Sequence, residues 1–111
     1  MKGKETVKVG QLSDAEFEAK KKELGSMFEI SVLDEKGAEH YGYITSPDRI
    51  ILGLYQKRLG ENPVLAREYL RESCWVCGSE EIEKNMTMSL GFDLTVSSTV
   101  GIFAIAELKK K

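Results

Sequence analysis

The chain has 111 residues, the usual size of one domain, and 41% of them are hydrophobic, which is enough to bury a modest single core. Sixteen basic and eighteen acidic residues give a net charge of −2, and they are interleaved instead of forming a basic stripe. This pattern disfavours a protein that grips nucleic acid through its phosphates. No apolar run follows a charged N-terminus, so we expect no signal peptide and a cytoplasmic location.

The N-terminal region divides into an arm and a helix. Residues 1–10, "MKGKETVKVG", are polar with two glycines, and we predict a flexible arm before a single α+β domain over residues 11–111. Ser13 and Glu16 form a capping-box pattern, and Gly25 can close a helix in the left-handed conformation. We therefore predict a helix from Asp14 to about Leu24.

A β-hairpin is predicted next. Apolar and polar residues alternate from Phe28 to Val32, the turn residues "DEKG" occupy 34–37, and the chain returns as "AEHYGYIT" over 38–45. This alternation is typical of half-buried strands, and Gly37 can adopt the positive φ that a tight turn requires.

Two helices are predicted after the hairpin. Ser46 is a candidate N-cap followed by Pro47, and the first of these helices should end at Gly60. Asn62 and Pro63 show the same pattern, an N-cap residue followed by proline, and predict a second helix that continues to about Ser73.

The C-terminal segment is ambiguous on pattern alone. Between Met86 and Ala106 the only charge is Asp93, and apolar and small polar residues alternate strictly at first, which is typical of a strand. Leu90, Leu94 and Ile105 also share a helical stripe, so we favour a helix and keep the strand as the alternative. A membrane span is disfavoured because the hydroxyl residues and Asp93 make insertion costly.

Both cysteines flank the only tryptophan, in "CWVC" at 74–77. With His40, which the alternation places toward solvent, Cys74 and Cys77 make three zinc ligands, one fewer than a structural site needs. A redox CxxC should begin a helix, whereas Cys74 follows one that is ending. We predict a core role for this segment, with largely buried Trp75, and keep a thiol or zinc protein as the third interpretation.

Catalytic patterns are weak. A single histidine, without a nucleophile elbow or a glycine-rich loop, gives no support to a Ser-His-Asp triad. Glu80, Glu81 and Glu83 fit the first turn of a helix capped by Ser79 better than an acid/base pair. We therefore expect a protein that is not an enzyme and needs no metal or other cofactor.

The order of elements resembles the bacteriophage tail assembly chaperone family. In that family a strand leads into a Pro-x-Arg helix start, followed by an "NP" helix start, an "NCW" landmark, a glycine and an acidic "D/E-E-I" segment. The resemblance covers residues 27–111, and Cys77 is not part of it. The matching residues are Tyr43, Pro47, Arg49, Asn62, Pro63, Cys74, Trp75, Gly78, Glu80, Glu81 and Ile82.

The resemblance implies a non-catalytic protein, in the host cytoplasm, that binds the apolar helices of a tape-measure protein before the tail tube assembles. The apolar surface that this needs must be tolerated in the free chain or covered by self-association, and neither nucleic acid nor membrane is implied as a partner. The candidate partner-binding residues in the C-terminal third are Met86, Met88, Phe92 and Phe103.

The alternative is a small DNA-binding or regulatory protein that uses the Pro47 and Pro63 helices as a helix-turn-helix. The short link around Gly60 permits that geometry. However, Arg67 and Arg71 lie beside Glu68 and Glu72 in the sequence, which makes a poor phosphate-facing surface.

Overall fold

A computed structural model describes the backbone of residues 7–109 and the side chains of residues 7–99. Strands and helices combine in one small α+β fold, as predicted. The elements, in chain order, are β1 (Lys8–Val9), α1 (Asp14–Leu24), β2 (Phe28–Leu33), β3 (Glu39–Ile44), α2 (Arg49–Leu59), α3 (Pro63–Cys74), β4 (Trp75–Gly78), α4 (Glu81–Lys84) and α5 (Met86–Lys109).

Strand β3 is the centre of a four-stranded sheet. On one side it pairs antiparallel with β2, from Phe28 opposite Ile44 to Leu33 opposite Glu39, which confirms the hairpin. On the other side it pairs with two short strands, the parallel β1 at its start and the antiparallel β4 at its end. Strand β4 was not predicted, because its four residues have no alternation of their own.

The two faces of the sheet bury different clusters. On one face Tyr41 and Tyr43 pack with Met27 and with Phe17 of α1. The opposite face carries the larger core, to which β2, β3 and four of the helices contribute. Its buried members are Ile30, Ile44, Tyr55, Ala66, Leu70, Cys74, Ile82, Met88, Phe92 and Val96.

Helix α1 begins and ends where its capping residues predict. The Ser13 hydroxyl accepts from the Glu16 backbone N–H, and the Glu16 carboxylate accepts from the Ser13 N–H. Gly25 closes the helix with φ of 89°. The Asn62 side chain likewise accepts from the Leu65 N–H at the start of α3. These caps are local, which is why the sequence alone predicts them.

The start of α2 differs from the prediction. Asp48 is the N-cap and accepts from the Ile51 N–H, so the helix begins at Arg49. Ser46, the predicted cap, is held by Ser26 instead: its N–H donates to the Ser26 hydroxyl at 3.1 Å, and that hydroxyl donates to the Ser46 oxygen at 3.0 Å. Asp48 therefore provides the local cap, while Ser46 bonds with a residue 20 positions away.

Part of the predicted arm pairs with the central strand of the sheet. Lys8 and Val9 pair with Glu39 and His40, and the Glu39 N–H donates to the Val7 carbonyl at 2.7 Å. The edge of β3 offers unpaired backbone groups here, and a short segment with two valines satisfies them. Residues 1–6 lie outside the described part of the chain.

The C-terminal segment is a helix, as we favoured, and not the alternative strand. Helix α5 runs from Met86 to Lys109, and the Asn85 side chain accepts from the Met88 N–H in its first turn. Across the described backbone, none of the helices combines the length and the hydropathy that a membrane crossing requires.

Candidate functional site

Helix α5 separates its alternating apolar residues into two stripes. In a helix, residues two positions apart point about 200° away from each other, whereas residues four apart share a face. The inner stripe, Met88, Phe92 and Val96, is buried in the core. The outer stripe, Met86, Leu90 and Leu94, is 73%, 41% and 52% exposed. A strand-like pattern folded as a helix therefore gives apolar surface on opposite sides.

This division corrects half of the predicted partner-binding set. Met88 and Phe92 are only 4% and 0% exposed, so they hold the fold together and are not available to a partner. The prediction chose apolar residues of this segment without assigning each of them to a side of the helix. Met86 does lie on the surface, whereas the side chain of Phe103 lies outside those described.

The only charge in the apolar segment points inward. The Asp93 carboxylate is buried and accepts from Nε of Arg71 on α3 at 2.5 Å, while Nη2 of Arg71 donates to the Ser89 hydroxyl at 3.3 Å. Burial raises the pKa of Asp93 to about 6, and Arg71 opposes this shift. The ion pair fixes the rotation of α5, because the turn that buries Asp93 and Phe92 exposes Leu90 and Leu94.

The outer face of α5 is uncharged where its side chains are described. We use "outer face" for the exposed stripe Met86, Leu90 and Leu94 together with the small residues beside it. The small residues are Thr87, Gly91, Thr95 and Ser98. A Cβ added at Gly91 would meet nothing within 4 Å, so the helix backbone is open to close approach there. An uncharged face of this kind is typical of a protein contact.

A second exposed apolar set lies on α2 and α3. Its members are Ile50, Leu54, Val64 and Leu65. Here the neighbouring positions are charged, with Arg49 beside Ile50 and Lys57 one turn after Leu54. Scattered apolar residues among charges are ordinary protein surface, so the outer face of α5 is the better candidate.

A hydrogen-bonded Asp-His-Ser group, which sequence reasoning rejected, is present at the sheet edge. The Nε2 atom of His40 lies 2.9 Å from Oδ2 of Asp34, and its Nδ1 lies 2.8 Å from the Ser79 hydroxyl. His40 is buried, whereas the alternation of β3 suggested a solvent-facing residue. Asp34 and His40 lie six residues apart across the hairpin turn, whereas Ser79 is 39 positions after His40, and no local pattern could have joined it to them.

The contacts of this group indicate a structural role. Asp34 also accepts from the backbone N–H groups of Lys36 and Ala38, and the hydrogen bond from His40 lowers its pKa. The Ser79 hydroxyl accepts from the Glu81 N–H at 3.3 Å, and Ser79 is only 4% exposed. The N-cap of α4 is Glu80, however, and not the predicted Ser79. The group ties the hairpin turn to α4 and buries the oxygen that a nucleophile would have to present.

A pocket of about 260 Å³ lies beside this group. Three of its six lining residues are glutamates, and the arginine that borders it is already paired with Asp93. Among the side chains that the structure describes, no group of three or more His, Cys, Asp or Glu residues is placed to hold a metal ion. The lining residues are Arg71, Glu72, Trp75, Ser79, Glu80 and Glu83.

Both cysteines are free thiols that lie on opposite sides of β4. Cys74 is buried in the main core, and burial raises its pKa to about 11. Cys77 is half-buried in the smaller cluster, and burial also raises its pKa. Both shifts disfavour the reactive thiolate. Trp75 is half-buried, less than predicted, with its ring 5.7 Å from that of Phe92.

Two of the four arginines of α2 and α3 make contacts within the fold. Arg71 is buried with Asp93, and the guanidinium of Arg58 lies 4.5 Å from the centre of the Tyr69 ring. A helix-turn-helix needs such side chains free for phosphate. These contacts weaken the DNA-binding alternative.

Comparison with protein-family models, with curated proteins and with solved structures finds no match to this chain.

Proposed function

We propose that this chain is a non-catalytic, cytoplasmic assembly chaperone of the phage-tail type. It binds an apolar, helical segment of a tape-measure protein before the tail tube forms. The observation that carries the proposal is the outer face of α5, where Met86, Leu90 and Leu94 are exposed and no exposed charge lies among the side chains described for this helix, those of residues 86–99.

The chemistry of the outer face suits a helical client. Leu90 and Leu94 are one turn apart and act as knobs, and Gly91 leaves an open site beside them that a client side chain can enter. Met86 adds a flexible, polarizable side chain at the end of the stripe. Binding is then driven by apolar burial, so it depends only weakly on salt.

The residues that carry the resemblance to the chaperone family support the proposal because they hold α5 in place. Trp75 packs against Phe92 and so seats α5, and Asn62 caps the helix whose Arg71 holds Asp93. Gly78 ends β4 at φ of 142°, which a residue with a side chain rarely adopts. We therefore infer that the residues that carry the resemblance fix the rotation of α5, and that the outer face of α5 binds the client.

The test is co-expression with a tape-measure protein, which would be recognised as a very long, helix-rich protein encoded next to this chain. The wild-type chain should increase the soluble fraction of that protein, and the double variant Leu90→Asp/Leu94→Asp should lose this effect while remaining folded. A matched control is Ile50→Asp/Leu54→Asp on α2, which places two charges one turn apart on another exposed apolar site.

The control pair should protect the client as well as wild type does. A client that is equally soluble with and without the chain contradicts the chaperone role. Equal loss of protection in both double variants contradicts the assignment of the binding face to α5.

A further inference from the structure

Helix α1 shields the smaller cluster of the fold without being buried itself. Met27, Tyr41 and Tyr43 are buried on this face of the sheet, whereas no residue of α1 is buried. Phe17 of α1 is half-buried and packs on the cluster, as does Cys77 of β4. The helix is therefore a cover over one face of the sheet and adds little to the interior.

The contacts that hold α1 to the sheet are concentrated on one residue. The Phe17 ring lies 5.9 Å from the Tyr43 ring, and just before the helix the Leu12 N–H donates to the Tyr43 hydroxyl at 2.9 Å. Lys20 is the only other half-buried residue of α1. Among the described residues, no side chain of α1 forms a hydrogen bond or an ion pair with another helix or strand, because the Glu16 carboxylate bonds within the helix's own cap.

The segment that carries α1 is anchored on both sides, and each anchor begins at a glycine with positive φ. Gly10 has φ of 82°, and a Cβ there would stand 2.6 Å from the backbone N of Ser79. Gly25 has φ of 89° and precedes Ser26, whose hydroxyl accepts from the Ser46 N–H. Glycine tolerates large changes of φ and ψ, so the segment between the anchors can move while the anchors stay in place.

We propose that α1 is a lid that lifts off the sheet as a unit while the main core stays packed, and that it thereby controls when the face of Tyr41 and Tyr43 meets solvent. The lid goes beyond the proposed function and is independent of it, because α5 packs on the opposite face of the sheet. Covering apolar and aromatic surface favours the closed state.

Opening the lid costs less than unfolding the chain. It breaks the contacts of Phe17 and Leu12 with Tyr43, whereas global unfolding also exposes the main core. Elements with few buried apolar side chains open at lower free energy than the core does. The open lid is therefore a minor state of the native chain that is more populated than the unfolded state.

Native-state hydrogen exchange on the full chain, followed by mass spectrometry, measures the opening. An isolated helix of 11 residues is marginal in water, so the amides of α1 exchange when the lid is open. They should be at least tenfold less protected than those of β3. Low urea should also accelerate them less, because a local opening exposes less surface than global unfolding. Amides of α1 with the protection or the urea dependence of β3 overturn the proposal, since the helix would then open only with the whole fold.

Two alanine variants test whether the lid moves at Gly25. Gly25 and Gly37 have nearly the same φ, 89° and 87°, and a Cβ at either meets nothing within 4 Å. Alanine strains both positions, but lifting the lid relieves only the strain at Gly25, because Gly37 lies in the hairpin turn. Gly25→Ala should lower the protection of α1 at least about fivefold, which corresponds to the usual cost of a left-handed residue. Gly37→Ala should lower the protection of β3 and leave that of α1 within about twofold of wild type; equal loss in α1 overturns the proposal.

The thiol of Cys77 shows whether the motion uncovers the face or only unwinds the helix. Cys77 packs with Phe17 in the cluster under the lid, and neither added methyl group contacts it. The bulky reagent DTNB should modify Cys77 at least about fivefold faster in Gly25→Ala than in Gly37→Ala, by the same strain argument. Equal rates overturn the proposal, because α1 would then fray without leaving the sheet. Both variants keep the outer face of α5, so loss of client protection, which tests the proposed function, is measured separately.

Discussion

The ring of Phe92 lies directly on the backbone of Gly42. A Cβ built on Gly42 would stand 2.5 Å from Cε2 and 2.6 Å from Cζ of that ring, and 2.8 Å from Cζ3 of Trp75. Only glycine allows this approach. The contact fixes the position of α5 against the central strand β3. It thereby determines that the inner stripe of α5 is buried and the outer stripe is exposed.

Replacing Gly42 with alanine should destabilise the fold by about 1 to 3 kcal/mol, the usual cost of overpacking a core. Urea denaturation measures this change. The control is Gly53→Ala on α2, where a Cβ meets nothing within 4 Å and alanine should stabilise the helix by about 0.5 to 1 kcal/mol. A Gly42→Ala protein as stable as wild type would mean that Phe92 does not rest on β3.

The buried carboxyl of Asp93 predicts a pH dependence. Its folded pKa of about 6 lies above the unfolded value of about 3.9, so the folded state holds the proton more tightly. The stability from this group is complete below the unfolded pKa and is lost as pH rises through about 6. Arg71, Glu68 and Glu72 are the charged groups of α3 that act on it.

We expect the free energy of unfolding of wild type, minus that of Asp93→Asn, to fall between pH 4 and pH 7. Denaturation at several pH values gives this difference, in which the titration of other groups cancels. A difference that grows with pH would instead mean that attraction to Arg71 outweighs burial.

The hydrogen-bonded group of Asp34, His40 and Ser79 should stabilise the fold and should not act as a catalytic triad. Ser79→Ala leaves the buried Nδ1 of His40 without this partner and should destabilise the fold by about 1 to 3 kcal/mol. A fluorophosphonate probe, which labels nucleophilic serines, should leave wild-type Ser79 unmodified because the residue is buried. Labelling of Ser79 that is lost in His40→Gln would point to an active hydrolase.

The two cysteines should differ in stability and reactivity. Cys77→Ser should change the free energy of unfolding by no more than about 1 to 2 kcal/mol, and Cys74→Ser should cost more because Cys74 is 1% exposed. A thiol reagent should modify native Cys77 faster than Cys74. Stoichiometric zinc in protein purified without added metal would contradict the view that both are packing residues.

The sequence predicts those parts of the fold that depend on neighbouring residues. The Ser13 and Glu16 capping box, the Asn62 cap and the hairpin around Gly37 are all local, and the structure confirms them. The errors at Ser46 and at Lys8–Val9 have the opposite cause, since contacts with Ser26 and with β3 decide those segments.

The candidate site was harder to predict because it depends on the rotation of one helix. Alternation from Met86 to Val96 fits a strand, and only the position of α5 against β3 and Arg71 assigns each residue to a side. The sequence signal that could have helped is the lone Asp93. If the segment from Met86 to Ala106 buries its only charge, Phe92 turns inward with Asp93 and Leu94 turns outward.

The most direct test of this account compares Leu94→Asp with Phe92→Asp by urea denaturation. Phe92→Asp places a charge in the core and should abolish cooperative folding, since it costs more than the about 3 to 5 kcal/mol of a cavity at such a site. Leu94→Asp should stay within about 1 kcal/mol of wild type. If Leu94→Asp is as damaging as Phe92→Asp, the outer face is covered within the chain itself and no partner binds there.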